Sequence, residues 1–280
     1  MTKSLIKRLS CCPVPSKASG NIRKKGMKML NKKWFWLVLI AIFWEVTAQN
    51  GLIPSYVFPP LSTIITRSYN LLRYEGFGNV ILASLKTILH GFVISFSAAI
   101  VVASISVYCK SFGTLVMALH DILNPLPSVA ILPIVLLICG LTKNSLYILI
   151  IHAVFWPLVA TLMMSISTIP QEYRNFSYNI GIPKWKMSIF VFIPAIFPYL
   201  LSGVRNSWGR AWRSLISAEA IFYISGSQQG IGYWIYSNRA YANMCDVMVG
   251  VFMIVLISIS VEKMFQIIEN HTIKKWGVTK

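Results

Sequence analysis

Three arginines, Arg205, Arg210 and Arg213, stand within an otherwise apolar run. Guanidinium matches carboxylate, sulfonate or phosphate oxygens with two parallel hydrogen bonds, so these are the residues best suited to handle an anion. At 100° per residue they share an arc of about 140° with Ser202, Asn206, Gly209 and Ser217, while Val204, Trp208, Ala211 and Leu215 fall opposite. A charge in mid-membrane costs from about 2.5 to above 10 kcal/mol, so each arginine needs a cavity, a partner or an interface. Two readings stand. The arginines snorkel or pair with Glu219 and Asp246, or Arg210 and Arg213 line a pathway favouring an anionic solute.

Other chemistry is not written in the chain. There is no GxxxxGK[ST] phosphate cradle, no HExxH zinc pair and no GxS nucleophile elbow, so no catalytic, cofactor-binding or metal-ligating residue is named and the chain is expected not to be an enzyme. His90, His120 and His152 are isolated from one another and read as packing or hydrogen-bonding residues. Cys109, Cys139 and Cys245 have no metal or CxxC spacing and read as small packing residues.

The elements that must position the arginines are membrane spans. With 56% hydrophobic and 12% charged residues and mean hydropathy +0.64, the 280-residue chain is far more apolar than a soluble domain. It predicts an all-α, polytopic integral membrane protein of about six transmembrane helices. The expected spans are 34–53, 83–108, 115–139, 146–166, 195–218 and 246–265. Residues 54–80 are expected outside as a surface amphipathic helix, and Glu219 to Cys245 as an external loop. The segments are thus a basic extension 1–33, a first span with its external helix 34–82, a core 83–266 and a basic tail 267–280.

The net charge of +18 could suggest nucleic acid, but its placement argues otherwise. Ten basic and no acidic residues precede Trp34. Eighteen of the 26 basic residues, with Lys263 at the inner end of the last span included, fall on the side expected to be cytoplasmic and four in external segments, which puts both termini inside, beside anionic lipid.

Prolines interrupt this pattern. Pro127 and Pro133, with Pro125, break the third span, and Pro157 interrupts the fourth. Each removes a backbone donor, which membranes tolerate where protein or a water-filled cavity serves the freed carbonyls, so these spans are candidate pathway walls. The cytoplasmic loop 167–193 carries Tyr173, Phe176, Ile180, Trp185, Ile189 and Phe192 beside Arg174, Lys184 and Lys186. Such a segment lies on the membrane surface or inserts into a partner's groove.

These residues resemble a known family, the inner-membrane permeases of binding-protein-dependent ATP-binding-cassette importers, in particular the sulfonate, nitrate and taurine group. Gly181 and, thirteen residues on, Pro194 are similar to the family's cytoplasmic signature, and Pro198, Gly203-Val204-Arg205, Gly209, Ala211-Trp212 and Ala218-Glu219 to the positions downstream. Outward, Trp44-Glu45, Phe58-Pro59-Pro60, Ser84-Leu85-Lys86, Gly91-Phe92, Pro127, Pro133, Gly140 and Pro157 extend the resemblance over about residues 44–276. Two departures stand out. Asn175, Phe176 and Ser177 occupy the place of the family's EAA triplet, with Glu172 as the nearby carboxylate, and Arg210 and Arg213 are additional to the usual pattern.

The resemblance implies a type I importer core: a permease homodimer in a bacterial plasma membrane, two ATPase subunits carrying ATP and magnesium below it, and an extracytoplasmic solute-binding protein above. Glu172, Asn175, Ser177, Gly181, Pro183 and Pro194 would then form the ATPase-coupling loop. Pro127, Pro133, Pro157, Arg205, Arg210, Trp212, Arg213 and Glu219 would belong to the translocation pathway. The solute stays open among sulfonates, nitrate, taurine and pyrimidine vitamin precursors. An ion-gradient-driven transporter or channel, or a non-transporting assembly protein, is the alternative; absent inverted repeats and paired mid-membrane carboxylates weigh against the former.

Overall fold

The structure, a computed structural model, describes residues 35–51, 54–169, 172, 193–222 and 230–272. Among them the regular elements are helices. The chain divides into two compact units at Ser62/Thr63, within the segment 34–82 read from the sequence.

In the first unit, α1 (Phe35–Gln49) exposes Phe35, Trp36, Leu37, Ile40 and Phe43. The Trp44 indole donates to the Pro59 carbonyl at 3.2 Å and stacks on Phe58 with centroids 4.8 Å apart. The Glu45 carboxylate accepts from the Ser62 hydroxyl at 2.6 Å and from its amide at 3.2 Å. These bonds fix the turn after α1 and serve an amide in the first turn of the next helix, where the helix itself supplies no acceptor.

The second unit continues α2 (Leu61–Tyr74) and then holds α3 (Phe77–Tyr108), α4 (Lys110–Leu123), α5 (Leu132–Cys139), α6 (Lys143–Ser167), α7 (Ile193–Phe222), α8 (Ile231–Ala240) and α9 (Met244–Thr272). The helices α3, α6 and α9 are each long and apolar enough to cross a bilayer. Expected as one span, 115–139 is instead two helices, α4 and a helical stretch beginning with a 3-10 turn at Ser128–Ile131, bent by 90°. The bend falls where Pro125 and Pro127 lack amide donors. Pro133 does not bend anything, because it sits in the first turn of α5, where the missing donor is not needed. Two further boundaries move. The helix α7 runs beyond 218 and takes in Glu219, and the expected external loop contains α8.

Packing is inverted relative to a soluble bundle. Large apolar side chains such as Leu89, Val93, Leu137, Ile138 and Val255 are exposed, while Ser84, Ser95, Ser106, Ser165, Ser207 and Ser214 are buried. The core helix is α6, half of whose apolar window is buried against 28% for α3 and for α9. It packs between α3 and α7, and both meet it through small residues four apart: Gly91, Ser95, Ala99 and Ala103 on α3, and Gly203, Ser207 and Ala211 on α7. Such stripes let helix backbones approach where no hydrophobic effect drives association. A Cβ on Gly91 would meet the Ile150 Cγ2 at 2.8 Å, and one on Gly203 the Thr161 Cγ2 at 2.7 Å.

At the far end of the unit, Asn243 caps α9 by accepting from the Asp246 amide at 3.3 Å. Buried Asp246 lies in the first turn of α9 and accepts from Arg67 of α2 through two bonds, 2.8 and 3.0 Å. With Glu75, also bonded to Arg67, it raises the affinity of that guanidinium for its proton.

Candidate translocation site

The helix α7 presents its arginines to two different neighbours. Arg205 and Arg210 are five residues apart, about 140° around the helix, with Arg213 between them. Arg205 faces α9, where it pairs with Glu262 through Nε at 2.8 Å and Nη2, and approaches Glu269 at 3.7 Å. Arg210 faces the break in the third span and donates to the Asn124 Oδ1 at 2.9 Å. No ion pair to either is made by Glu219 or Asp246, the partners considered from the sequence.

Arg210 and Arg213 line an open cavity of about 630 Å³ together with Asn124 to Val129 at the break, His152 and Ala153 of α6, and Ser214 and Ser217 of α7. Among the described residues no carboxylate lines it. Along α7, Arg210 lies about 26 Å from one end and about 18 Å from the other at 1.5 Å per residue, and it and Arg213 are both exposed. The Pro157 ring leaves the Ala153 carbonyl without its usual intrahelical donor, and Ala153 is a wall of this cavity. The cavity is therefore cationic, rimmed by hydroxyls and an amide, and suited in volume and chemistry to a small oxyanion. A second cavity of about 360 Å³ lies between α7 and α9, with Arg205, Trp212, Glu262 and again Arg213 in its walls. Arg213 thus stands between the two.

Glu219 is in neither. It is buried and accepts from the Ser84 hydroxyl at 2.8 and 3.0 Å and from the Gly232 amide at 2.9 Å. Ser84 in turn accepts from the Ile231 amide at 2.9 Å. The carboxylate of α7 and the hydroxyl of α3 together serve the free amides at the start of α8, whose dipole favours a negative group there. The glycines are required by proximity. A Cβ on Gly230 would strike the Glu219 carboxylate, and one on Gly232 the Ile216 carbonyl.

Of the residues named for the pathway, the structure brings Pro127, Arg210 and Arg213 to the larger cavity, with Pro157 one turn from its wall. Arg205 and Trp212 line the smaller one, Pro133 sits in α5, and Glu219 anchors α8. Of the coupling set, Glu172 is exposed and Pro194 lies in the first turn of α7; Asn175, Ser177, Gly181 and Pro183 lie outside the described residues. Sequence reasoning did not name Asn124, Ser128, His152 or Ser214. The Asn124-Pro125 step was a signal for the first two. His152, read as a packing or hydrogen-bonding residue, lies 3.4 Å from the Ser128 hydroxyl and lines the cavity.

A family model described as "Binding-protein-dependent transport system inner membrane component" matches residues 91–274, a stretch that contains the larger cavity. Among curated relatives, a protein named as an aliphatic sulfonates transport permease of Bacillus subtilis is 24% identical over 273 residues, covering 92% of this chain and 96% of its own. A nitrate import permease of Synechococcus elongatus is 24% identical over 68% of each chain. A taurine transport system permease of Escherichia coli is 22% identical over 80% of this chain and 82% of its own. The chain belongs to the family of inner-membrane components of binding-protein-dependent transport systems, as a multi-pass membrane permease that acts with an ATPase and a binding protein.

Proposed function

We propose that the chain imports a small anion, with a sulfonate, carboxylate or nitrate-like group, through a path that includes the cavity of Arg210 and Arg213. The observation that carries this is the pair of mid-helix guanidiniums sharing one cavity in which, among the described residues, there is no carboxylate. In hydrocarbon such a pair is costly unless a polar ligand or water receives it. Relatives named for sulfonates, nitrate and taurine transport support the same class of solute.

The working assembly is a homodimer in a bacterial plasma membrane, both termini cytoplasmic, with two ATPase subunits beneath and a solute-binding protein above. Family membership supports this ATP-driven reading over an ion gradient. ATP and magnesium reside on the partner, and this chain holds no cofactor of its own. The loop 167–193, with Glu172 and Gly181 and with Pro194 just beyond it, enters an ATPase groove. Closure of the ATPase pair then moves α7 and exposes the arginine cavity to each side in turn.

Affinity purification of the full chain from its native host in mild detergent tests the energy source. Recovery of a stoichiometric P-loop ATPase, lost when Gly181 and the preceding loop are altered, is expected. A folded preparation that brings down no ATPase would overturn the ATP-driven reading.

A further inference from the structure

Ten lysines and arginines lie among the described residues, and their partners sort them. Arg67 and Arg205 hold carboxylates, while Arg73 and Arg239 lie over tyrosine rings. Of the remaining six, Arg210 and Arg213 share the cavity already described. Lys86 and Lys143 share another, of about 550 Å³, between α3 and α6. Among the described residues neither lysine has an ion pair and no carboxylate lines this cavity, whose polar walls are Asn79, Thr87, His90 and Tyr147. Glu219 packs against the wall residue Gly230, but its oxygens are already bonded to Ser84 and Gly232.

Position adds to charge. Lys86 lies about 14 Å into α3 at 1.5 Å per residue, and Lys143 is the first residue of α6. The starts of α3, α6 and α8 therefore meet at this cavity, which is the external face in the topology above. From α6 it is faced by Tyr147, about 140° around the helix from His152 of the arginine cavity. The two cationic cavities thus occupy different flanks of the same core helix.

We propose that the Lys86–Lys143 cavity is an outer oxyanion subsite, which receives the solute before it reaches Arg210 and Arg213. The assignment rests on the reading that the solute is an anion. A sulfonate on the solute and a phosphate on a lipid headgroup share the chemistry that two ammonium groups recognise, and the test separates them.

The full chain is placed in nanodiscs of zwitterionic lipid and its lysines are reductively methylated, with the rate at each read by mass spectrometry. Methanesulfonate is compared with chloride at equal ionic strength. Several-fold slower labelling at Lys86 and Lys143, with Lys110 and Lys263 unchanged, is the expected result. No protection at either lysine overturns the subsite. Protection by phosphatidylglycerol in the disc but not by methanesulfonate overturns its role for the solute and makes it a lipid site. The variant Arg210→Gln/Arg213→Gln is expected to keep lysine protection while losing uptake. Retained uptake with retained protection would sink the arginine pathway and leave the outer subsite standing.

Discussion

The helix α7 carries two polar clusters about two turns apart, and they are built on opposite terms. Around Glu219 the carboxylate is met by the Ser84 hydroxyl and a backbone amide, and that hydroxyl is met by another amide. Around Arg210 and Arg213 the cations meet an asparagine oxygen and open volume. A polar group sealed inside a membrane bundle with its partners supplied is a fastening. One left with partners missing is a place for something that arrives later.

The largest effect should come from breaking the fastening. Glu219→Ala leaves the Gly232 amide and the Ser84 hydroxyl without their acceptor, and should cost about 2–4 kcal/mol. Thermal unfolding followed by tryptophan fluorescence would read this, and a midpoint unchanged from wild type would mean that the junction holds nothing. Somewhat smaller is Gly203→Val, which forces the α6–α7 contact apart at Thr161, by about 1–3 kcal/mol. It would lower stability and uptake together, separating damage to the scaffold from damage to the path.

Replacing Arg210 and Arg213 by Gln should do the reverse. Uptake of an anionic solute in whole cells falls by about ten-fold, roughly 1.4 kcal/mol, while the unfolding midpoint holds. Equal loss of both would erase the distinction between the clusters. Least of all should follow from Glu262→Gln. The pair with Arg205 is about 40% exposed on each side and Glu269 stands near, so the expected change is under about 1 kcal/mol. A large loss there would promote Arg205 to the class of Glu219.

What the sequence disclosed follows the range of the forces involved. Apolar runs placed α3, α6 and α9 because hydropathy is local, and helical periodicity put the three arginines on one arc. It could not say which neighbours would receive them, since Glu262 is 57 residues from Arg205 and Asn124 is 86 from Arg210. From the sequence, Glu219 opens an external loop and, by resemblance, belongs to the pathway. Its burial depends on Ser84, 135 residues earlier, and on two glycines of α8. The prolines announced a break in the third span, while its 90° angle and the packing of both arms against α6 are recorded in no local pattern.

The contact between Arg67 and Asp246 joins residues 179 apart. It closes most of the second unit into a ring, with α3 to α8 inside the loop. Closing so long a loop is entropically unfavourable until its interior is ordered. During synthesis the bond cannot form before the first turn of α9 has been made. The clasp therefore joins last, and its formation marks a chain whose intervening helices have already found their places.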